Sequence, residues 1–161
     1  MTTLLIIIAS VFVAYIASII AINKGIPPSI SESFYVLNNK KKGLGYLFTI
    51  WCFFIGVSVM AVIFEVTDGR WFQFLGLFCG GGLGFVGAAP LFKGREKTIH
   101  FVGATTCAVS ALLIMVLLGW WFVPVIALSV AFAIYTGNGN LTFWGEIALF
   151  VGMFITLFLM V

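Results

Sequence analysis

Glu146 is the residue whose position most strongly suggests chemistry. It is the one acidic residue well inside an apolar segment, five residues past Leu141. At about 1.5 Å per helical residue, it lies about 8 Å below the end of that segment. An ionised carboxylate at this depth is costly unless it is paired or hydrated, so such acids are candidates for ion, proton or ligand pathways. The structural alternative is a protonated or hydrogen-bonded carboxyl group, or one turned towards the membrane interface.

His100 is the single histidine of the chain. It opens a later apolar segment, at the same end of the molecule where Glu146 is expected. A histidine near a glutamate can shuttle a proton or hold a ligand near neutral pH. The alternative is an interfacial histidine in contact with headgroups and water. Zinc normally needs three or four protein ligands, so a single histidine with no adjacent cysteine predicts no metal site.

The loop after the first apolar segment carries the other candidate ligand or ion-pathway residues, which are Ser29, Ser31, Glu32 and Tyr35. Ser29 and Glu32 have the spacing of a helical capping box. Apolar residues at Ile30, Phe34 and Leu37 follow helical spacing. We therefore predict a short amphipathic helix at the membrane surface, capped by Ser29. It is either a simple connector or a lid over a cytoplasmic cavity that contains the histidine and the buried glutamate.

The composition indicates which elements must position these residues. The 161-residue chain is 63% hydrophobic, has a mean hydropathy of +1.23, and carries 8 Lys or Arg and 5 Asp or Glu. Soluble domains carry about 25% charged residues, whereas this chain carries 8%. This excludes a soluble enzyme, a disordered chain and a secreted disulfide scaffold, and it favours a polytopic membrane protein.

Six apolar segments predict an all-α bundle of six transmembrane helices in a single membrane domain over residues 1–161. The predicted spans cover residues 4–22, 45–64, 72–92, 99–118, 120–135 and 141–161. The first lacks a basic region and a cleavage pattern, so we expect it to be retained. An unbroken helix over residues 99–135 would be about 55 Å long, well beyond the ~30 Å hydrocarbon core, so a reversal near Gly119 is expected.

Lysines and arginines predict the orientation. Seven of the eight fall in the loops 23–44 and 93–98, and Arg70 alone falls on the other side. Because cytoplasmic loops carry excess Lys and Arg, these loops and the uncharged loop 136–140 are expected in the cytoplasm. Both termini are then outside a membrane that we expect to be the plasma, or inner, membrane.

Small residues recur at every fourth position in the third segment and again in the fourth. They are Gly76, Gly80, Gly84 and Ala88, followed by Gly103, Cys107 and Ala111. Such stripes allow close backbone approach between helices in lipid, so we predict tight packing of these two segments. A homo-oligomer interface or a flexible helix lining a cavity is the functional alternative. The three cysteines all fall inside predicted spans and are interpreted as apolar fillers, because an odd number supports no disulfide framework.

Two short segments resemble motifs of six-span membrane proteins of the DRAM type. They are Pro28-Ser29-Ile30-Ser31-Glu32, after the first span, and Ile99-His100-Phe101-Val102-Gly103-Ala104, at the start of the fourth. In that family a Pro-x-Ile-Ser-type segment follows the first helix and a histidine opens a later one. The acid-plus-glycine ending of the first motif is absent from this chain. The resemblance implies a multispan membrane protein of poorly defined molecular activity, and it supplies no catalytic residues.

The sequence leaves three functional hypotheses. The first is a non-enzymatic bundle that contacts membrane lipids and either binds a lipid-like or small ligand or supports an assembly. The reason is that few polar side chains that could act as a pair fall in its spans. The second is a small channel or proton-coupled carrier that uses Glu146, with His100 nearby. The third is a membrane lipid hydrolase using Ser29 or Ser31 with His100, although no orienting acid is evident. No nucleotide or phosphate fingerprint predicts a cofactor, and the few basic residues predict no nucleic-acid partner.

Overall fold

The computed structural model describes residues 1–161, except for the side chain of Asn138. Within that range the chain forms seven α-helices and no strand. The helices are α1 (Thr2–Asn23), α2 (Ser33–Lys40), α3 (Tyr46–Val66), α4 (Leu75–Ala88), α5 (Glu96–Leu117), α6 (Phe122–Asn138) and α7 (Leu141–Met160). A short 3-10 turn, Ala89–Leu91, extends α4. The predicted all-α class is therefore confirmed.

Four helices, α1, α3, α5 and α7, are long and apolar enough to cross a membrane. They have 20–22 residues and mean hydropathies of 2.0–2.8. Helices α4 and α6 are apolar but shorter. Large apolar side chains also cover the outside of the bundle; Ile50 is 63% exposed and Phe101 is 71% exposed. Lipid tails would cover such a surface better than water, so the helices indicate association with a membrane.

Helix α4 packs between α3 and α5, and glycines provide close approach on both of its sides. A Cβ atom on Gly80 would lie 2.5 Å from the carbonyl oxygen of Gly56 in α3. A Cβ atom on Gly82 would lie 2.7 Å from the carbonyl oxygen of Gly103 and the amide nitrogen of Cys107 in α5. Backbone therefore packs directly on backbone at both interfaces, as small residues allow in lipid.

This arrangement corrects the predicted partner of the glycine stripe. Gly76 and Gly80 face α3, while Gly82, two residues further on, faces α5. Gly84 lies against the ring of Phe53, also in α3. Successive helical residues are rotated by about 100°, so residues two apart project to nearly opposite sides of the helix. Because α4 has a close neighbour on each side, it needs small residues on two faces. The four-residue spacing of Gly76, Gly80 and Gly84 marks only the face towards α3.

The segment between α1 and α3 folds back over one end of the bundle. Helix α2 begins at Ser33 rather than in the turn after Ser29. Ser29 Oγ accepts the backbone N–H of Glu32 at 3.2 Å, which is half of the predicted capping box. The Glu32 side chain forms no cap and is exposed. The next residue after Ser29, Ile30, donates its N–H to Glu146, and this long-range bond stabilises the non-helical turn before α2.

Two tight turns reverse the chain direction between the last three helices. The reversal predicted near Gly119 lies there, with a φ of 87° at the glycine that joins α5 to α6. The predicted loop 136–140 is shorter than expected, because α6 continues to Asn138 and α7 begins at Leu141. The chain turns there through positive φ angles at Gly139 and Asn140, a conformation that glycine and asparagine adopt most readily. Helix α6 consequently packs against α7 at the edge of the bundle.

Candidate functional site

A cavity of about 100 Å³ lies inside the bundle between α3, α4, α5 and α7. Apolar side chains form most of its wall, including Leu83 of α4, Ala111 of α5 and Met153 of α7. Gly56 and Gly80 also line it, so the close approach of α3 and α4 forms part of the same wall. The residues that pack α3 against α4 therefore also line the cavity.

The polar side chains of the cavity gather at one end. Glu146 lies in the second turn of α7 and His100 lies near the start of α5, and both line the cavity. Ser31, from the turn before α2, joins them. The two residues singled out by the sequence thus face one space, although 46 positions separate them in the chain.

The Glu146 carboxylate is held by the protein backbone. Its Oε2 atom accepts the N–H of Ile30 at 2.5 Å. Ile30 is 4% exposed, so this bond is shielded from water. Hydrogen bonds to an ionised group are roughly twice as strong as neutral ones. This bond joins the start of α7 to the segment that precedes α2, and it leaves the second carboxylate oxygen free for another partner.

Residues 26–33, which we call the strap, lie at the polar end of the cavity. Besides the bond to Glu146, the strap is tied to α1 by a 2.7 Å hydrogen bond between Tyr15 Oη and Ser33 Oγ. The Asn140 amide at the start of α7 donates to the Ile26 carbonyl at 3.4 Å. Ile30 and Ser31 of the strap themselves line the cavity. The predicted lid was the helix itself, whereas the residues that reach the space lined by Glu146 and His100 belong to the turn before α2.

The remaining candidates do not reach the cavity. Glu32 and Tyr35 are exposed, and Ser29 is buried beside the cavity with its hydroxyl group 2.9 Å from that of Ser31. Across the described side chains, His100 forms no hydrogen bond with Ser31 or Glu146. A hydrolytic nucleophile needs a base within hydrogen-bonding reach, and this arrangement does not provide one.

Three cysteines form a feature that the sequence did not predict. Cys52 of α3, Cys79 of α4 and Cys107 of α5 all line the cavity, and all are free thiols. Among residues whose side chains the structure describes, no group of three His, Cys, Asp or Glu residues is arranged to hold a metal ion. The cysteines therefore contribute small, polarizable surface to the wall. Only the relative rotation of three helices brings them together, and spacing along the chain does not report that rotation.

Trp51 also lines the cavity and was missed by the sequence analysis. It is 5% exposed and stacks on Tyr15 with ring centroids 4.5 Å apart. Its indole nitrogen is buried without a hydrogen-bond partner among the described atoms. Tyr15 therefore contacts both the strap, through its hydroxyl group, and the cavity wall, through its ring on Trp51.

The cavity is long compared with its volume. On α7 its wall extends from Glu146 to Phe154, and on α5 from His100 to Ala111. Eight residues of helix rise about 12 Å, so the space is a narrow channel rather than a round chamber. A molecule with one apolar chain and one polar end matches this shape. Comparisons with family models, with curated proteins and with solved structures gave no match for this chain.

Proposed function

We propose that this protein is a six-span membrane protein that binds a single-chain amphipathic molecule without transforming it. The observation that carries the proposal is the cavity, which is mostly apolar along its length and whose titratable or hydroxyl-bearing side chains other than the cysteines are Glu146, His100 and Ser31. Ligand sites are typically apolar clefts in which a few polar groups set the orientation. The polar head of the ligand would lie under the strap, and its chain would extend towards Met153 and Phe154.

The proposed topology places the strap in the cytoplasm. In it, α4 with its 3-10 turn and α6 cross the membrane as short spans, each about 26 Å long at 17 residues. Such lengths lie at the lower limit for a transmembrane helix. The bonds from Ile26 and Ile30 to the start of α7 bring the cation-rich first loop and the 139–140 turn to one end of the bundle. The positive-inside rule makes that end cytoplasmic, in a plasma or inner membrane.

A pair of reporter fusions tests this topology. A reporter fused after Val161 is expected to report the outer side, whereas the same reporter inserted after Lys41 is expected to report the cytoplasm. The physical reason is that seven of the eight Lys and Arg residues flank the strap end. Paired phosphatase and fluorescent-protein fusions measure each location. A cytoplasmic reporter after Val161 would overturn the six-span arrangement.

Binding is better supported than conduction. The lower half of the cavity is walled by apolar residues such as Val59, Leu83 and Met153. An ion that left Glu146 in that direction would find no further charged side chain in the cavity wall to replace water, which makes the path costly. An alkyl chain loses no hydrogen bonds in the same space. The apolar outer faces of the helices are then covered by membrane lipids, which we propose as the lasting partners of the bundle.

Ligand-induced stabilisation tests the proposed binding. Butanol, whose chain is short enough for about 100 Å³, should raise the thermal unfolding temperature of the protein in lipid nanodiscs, because a ligand at about 100 times its Kd stabilises the folded state by roughly 2.7 kcal/mol. Ala111→Leu should abolish the shift, since Ala111 lines the cavity and leucine would fill it. Val109→Leu, on the exposed face of the same helix, is the matched control and should keep the shift. Equal shifts in both variants, or turnover of a lipid substrate by the pure protein, would refute the proposal.

A further inference from the structure

We infer that the ligand head is a cationic amine that binds Glu146, an inference that rests on the proposed function of the cavity. The starting point is an imbalance of charge. Glu146 faces the cavity, and no lysine or arginine lines it. Its hydrogen bond in the described structure comes from a neutral backbone N–H, that of Ile30. The protein thus supplies half of a buried charge pair.

Carboxylates inside a membrane protein normally face a partner of opposite charge or a hydrated space. A carboxylate that is buried without such a partner is stabilised when a cation occupies the site beside it. The second oxygen of Glu146 is the natural acceptor, because Oε2 is taken by Ile30. A ligand ammonium group placed there forms a charge-assisted hydrogen bond to a largely buried carboxylate.

The rest of the polar end also suits an ammonium group. An ammonium has three N–H donors and no acceptor. His100 in its neutral form offers an acceptor nitrogen, and the Ser31 hydroxyl offers oxygen lone pairs, and both line the same space. Three acceptors for three donors is the complement expected of an amine site. An anionic head would instead meet the Glu146 carboxylate at close range and be repelled.

His100 is the competing partner, because a protonated imidazole could itself balance Glu146. The two side chains share the cavity but form no hydrogen bond to each other in the described structure. The protein therefore leaves the carboxylate available to an external cation. The cavity volume limits the remaining chemistry of that cation: about 100 Å³ has room for one short apolar chain of a few carbons.

A matched pair of amphiphiles tests this inference. Butylamine and butanol have the same short chain and differ in the head group, so their affinities are measured at pH 7 for the full chain in nanodiscs. We expect butylamine to bind more tightly than butanol. Glu146→Gln keeps the size and an acceptor oxygen for Ile30 but removes the charge, and it should weaken butylamine binding roughly 30-fold or more while changing butanol binding little. Glu65→Gln removes the exposed carboxylate at the far end of α3 and is the matched control, expected to match the unmodified protein.

The outcomes separate this inference from the proposed function. Butanol binding that is lost in Ala111→Leu supports the cavity, whatever the amine does. Equal affinities for butanol and butylamine, or an amine preference that survives in Glu146→Gln, would overturn the amine class alone. Binding of neither molecule would overturn both. Glu146→Asp retains the charge and should retain part of the preference, so a folding defect in one variant does not decide the result.

Discussion

Replacing Gly80 or Gly82 with alanine is expected to destabilise the bundle by about 2–3 kcal/mol for each substitution, the range of an overpacked core. The added methyl group has no space at either position. At Gly80 it would lie 2.5 Å from the Gly56 carbonyl oxygen and 2.8 Å from Met60 Cβ. At Gly82 it would lie 2.7 Å from two backbone atoms of α5. Backbone cannot rotate away as a side-chain tip can, so whole helices must move apart.

The chain contains its own control between these two positions. A Cβ on Gly81 would meet nothing within 4 Å, because this residue faces away from both neighbouring helices. Alanine also favours the helical conformation over glycine by up to about 1 kcal/mol in water. Gly81→Ala should therefore be neutral or slightly stabilising. The three variants differ by one methyl group each and lie on the same helical turn.

Thermal unfolding of the three purified variants in one detergent measures the effect. Gly80→Ala and Gly82→Ala should each lower Tm by roughly 5 °C or more, while Gly81→Ala should not lower it. Because Gly80 also lines the cavity, its substitution should in addition reduce butanol binding. Similar Tm losses at all three positions would contradict the packing of α4 between α3 and α5. They would indicate instead that helix flexibility alone matters in this region.

The same glycines show what the sequence could predict about the fold. Small residues at helical spacing predicted that backbones approach closely, and this follows from local chemistry. They could not identify the partner of each glycine, since Gly80 and Gly82 face different helices although two residues separate them. The partner depends on how α3, α4 and α5 are rotated about their axes. That rotation is decided by packing over the whole bundle and not by any one segment.

For the candidate site, too, the sequence predicted the approximate location of the residues but not their contacts. The positions of Glu146 and His100 near helix starts on one side placed them at one end of the bundle, and the structure adds that they share a cavity. The capping box at Ser29 was only half realised: Ser29 accepts the Glu32 N–H, but the exposed Glu32 side chain makes no return bond. The bond between Ile30 and Glu146 spans 116 positions, and nothing in the sequence of the loop indicates it.

Removing the Glu146 side chain oxygens should release the strap, and this is the second large effect that we expect. Glu146→Leu leaves the Ile30 N–H without its acceptor in a buried position. Hydrogen bonds to charged groups contribute about 1.5–3 kcal/mol, so hydrogen exchange at the Ile30 amide should accelerate roughly 10- to 100-fold. Glu146→Gln retains an acceptor oxygen, and its acceleration should stay below about tenfold, in keeping with a neutral bond.

Proteolysis provides an independent measure of the same opening. Lys24 precedes the strap and the lysines at 40–42 follow it, so trypsin can cut on either side once the strap detaches. Cleavage at Lys24 should be faster in Glu146→Leu than in the unmodified protein. Asn140→Ala is the control, because it removes the longer 3.4 Å bond to Ile26 and should have the smaller effect. Unchanged exchange at Ile30 together with unchanged cleavage in Glu146→Leu would show that the strap is held by packing alone. In that case Glu146 would be free to act on the ligand without any part in closing the cavity.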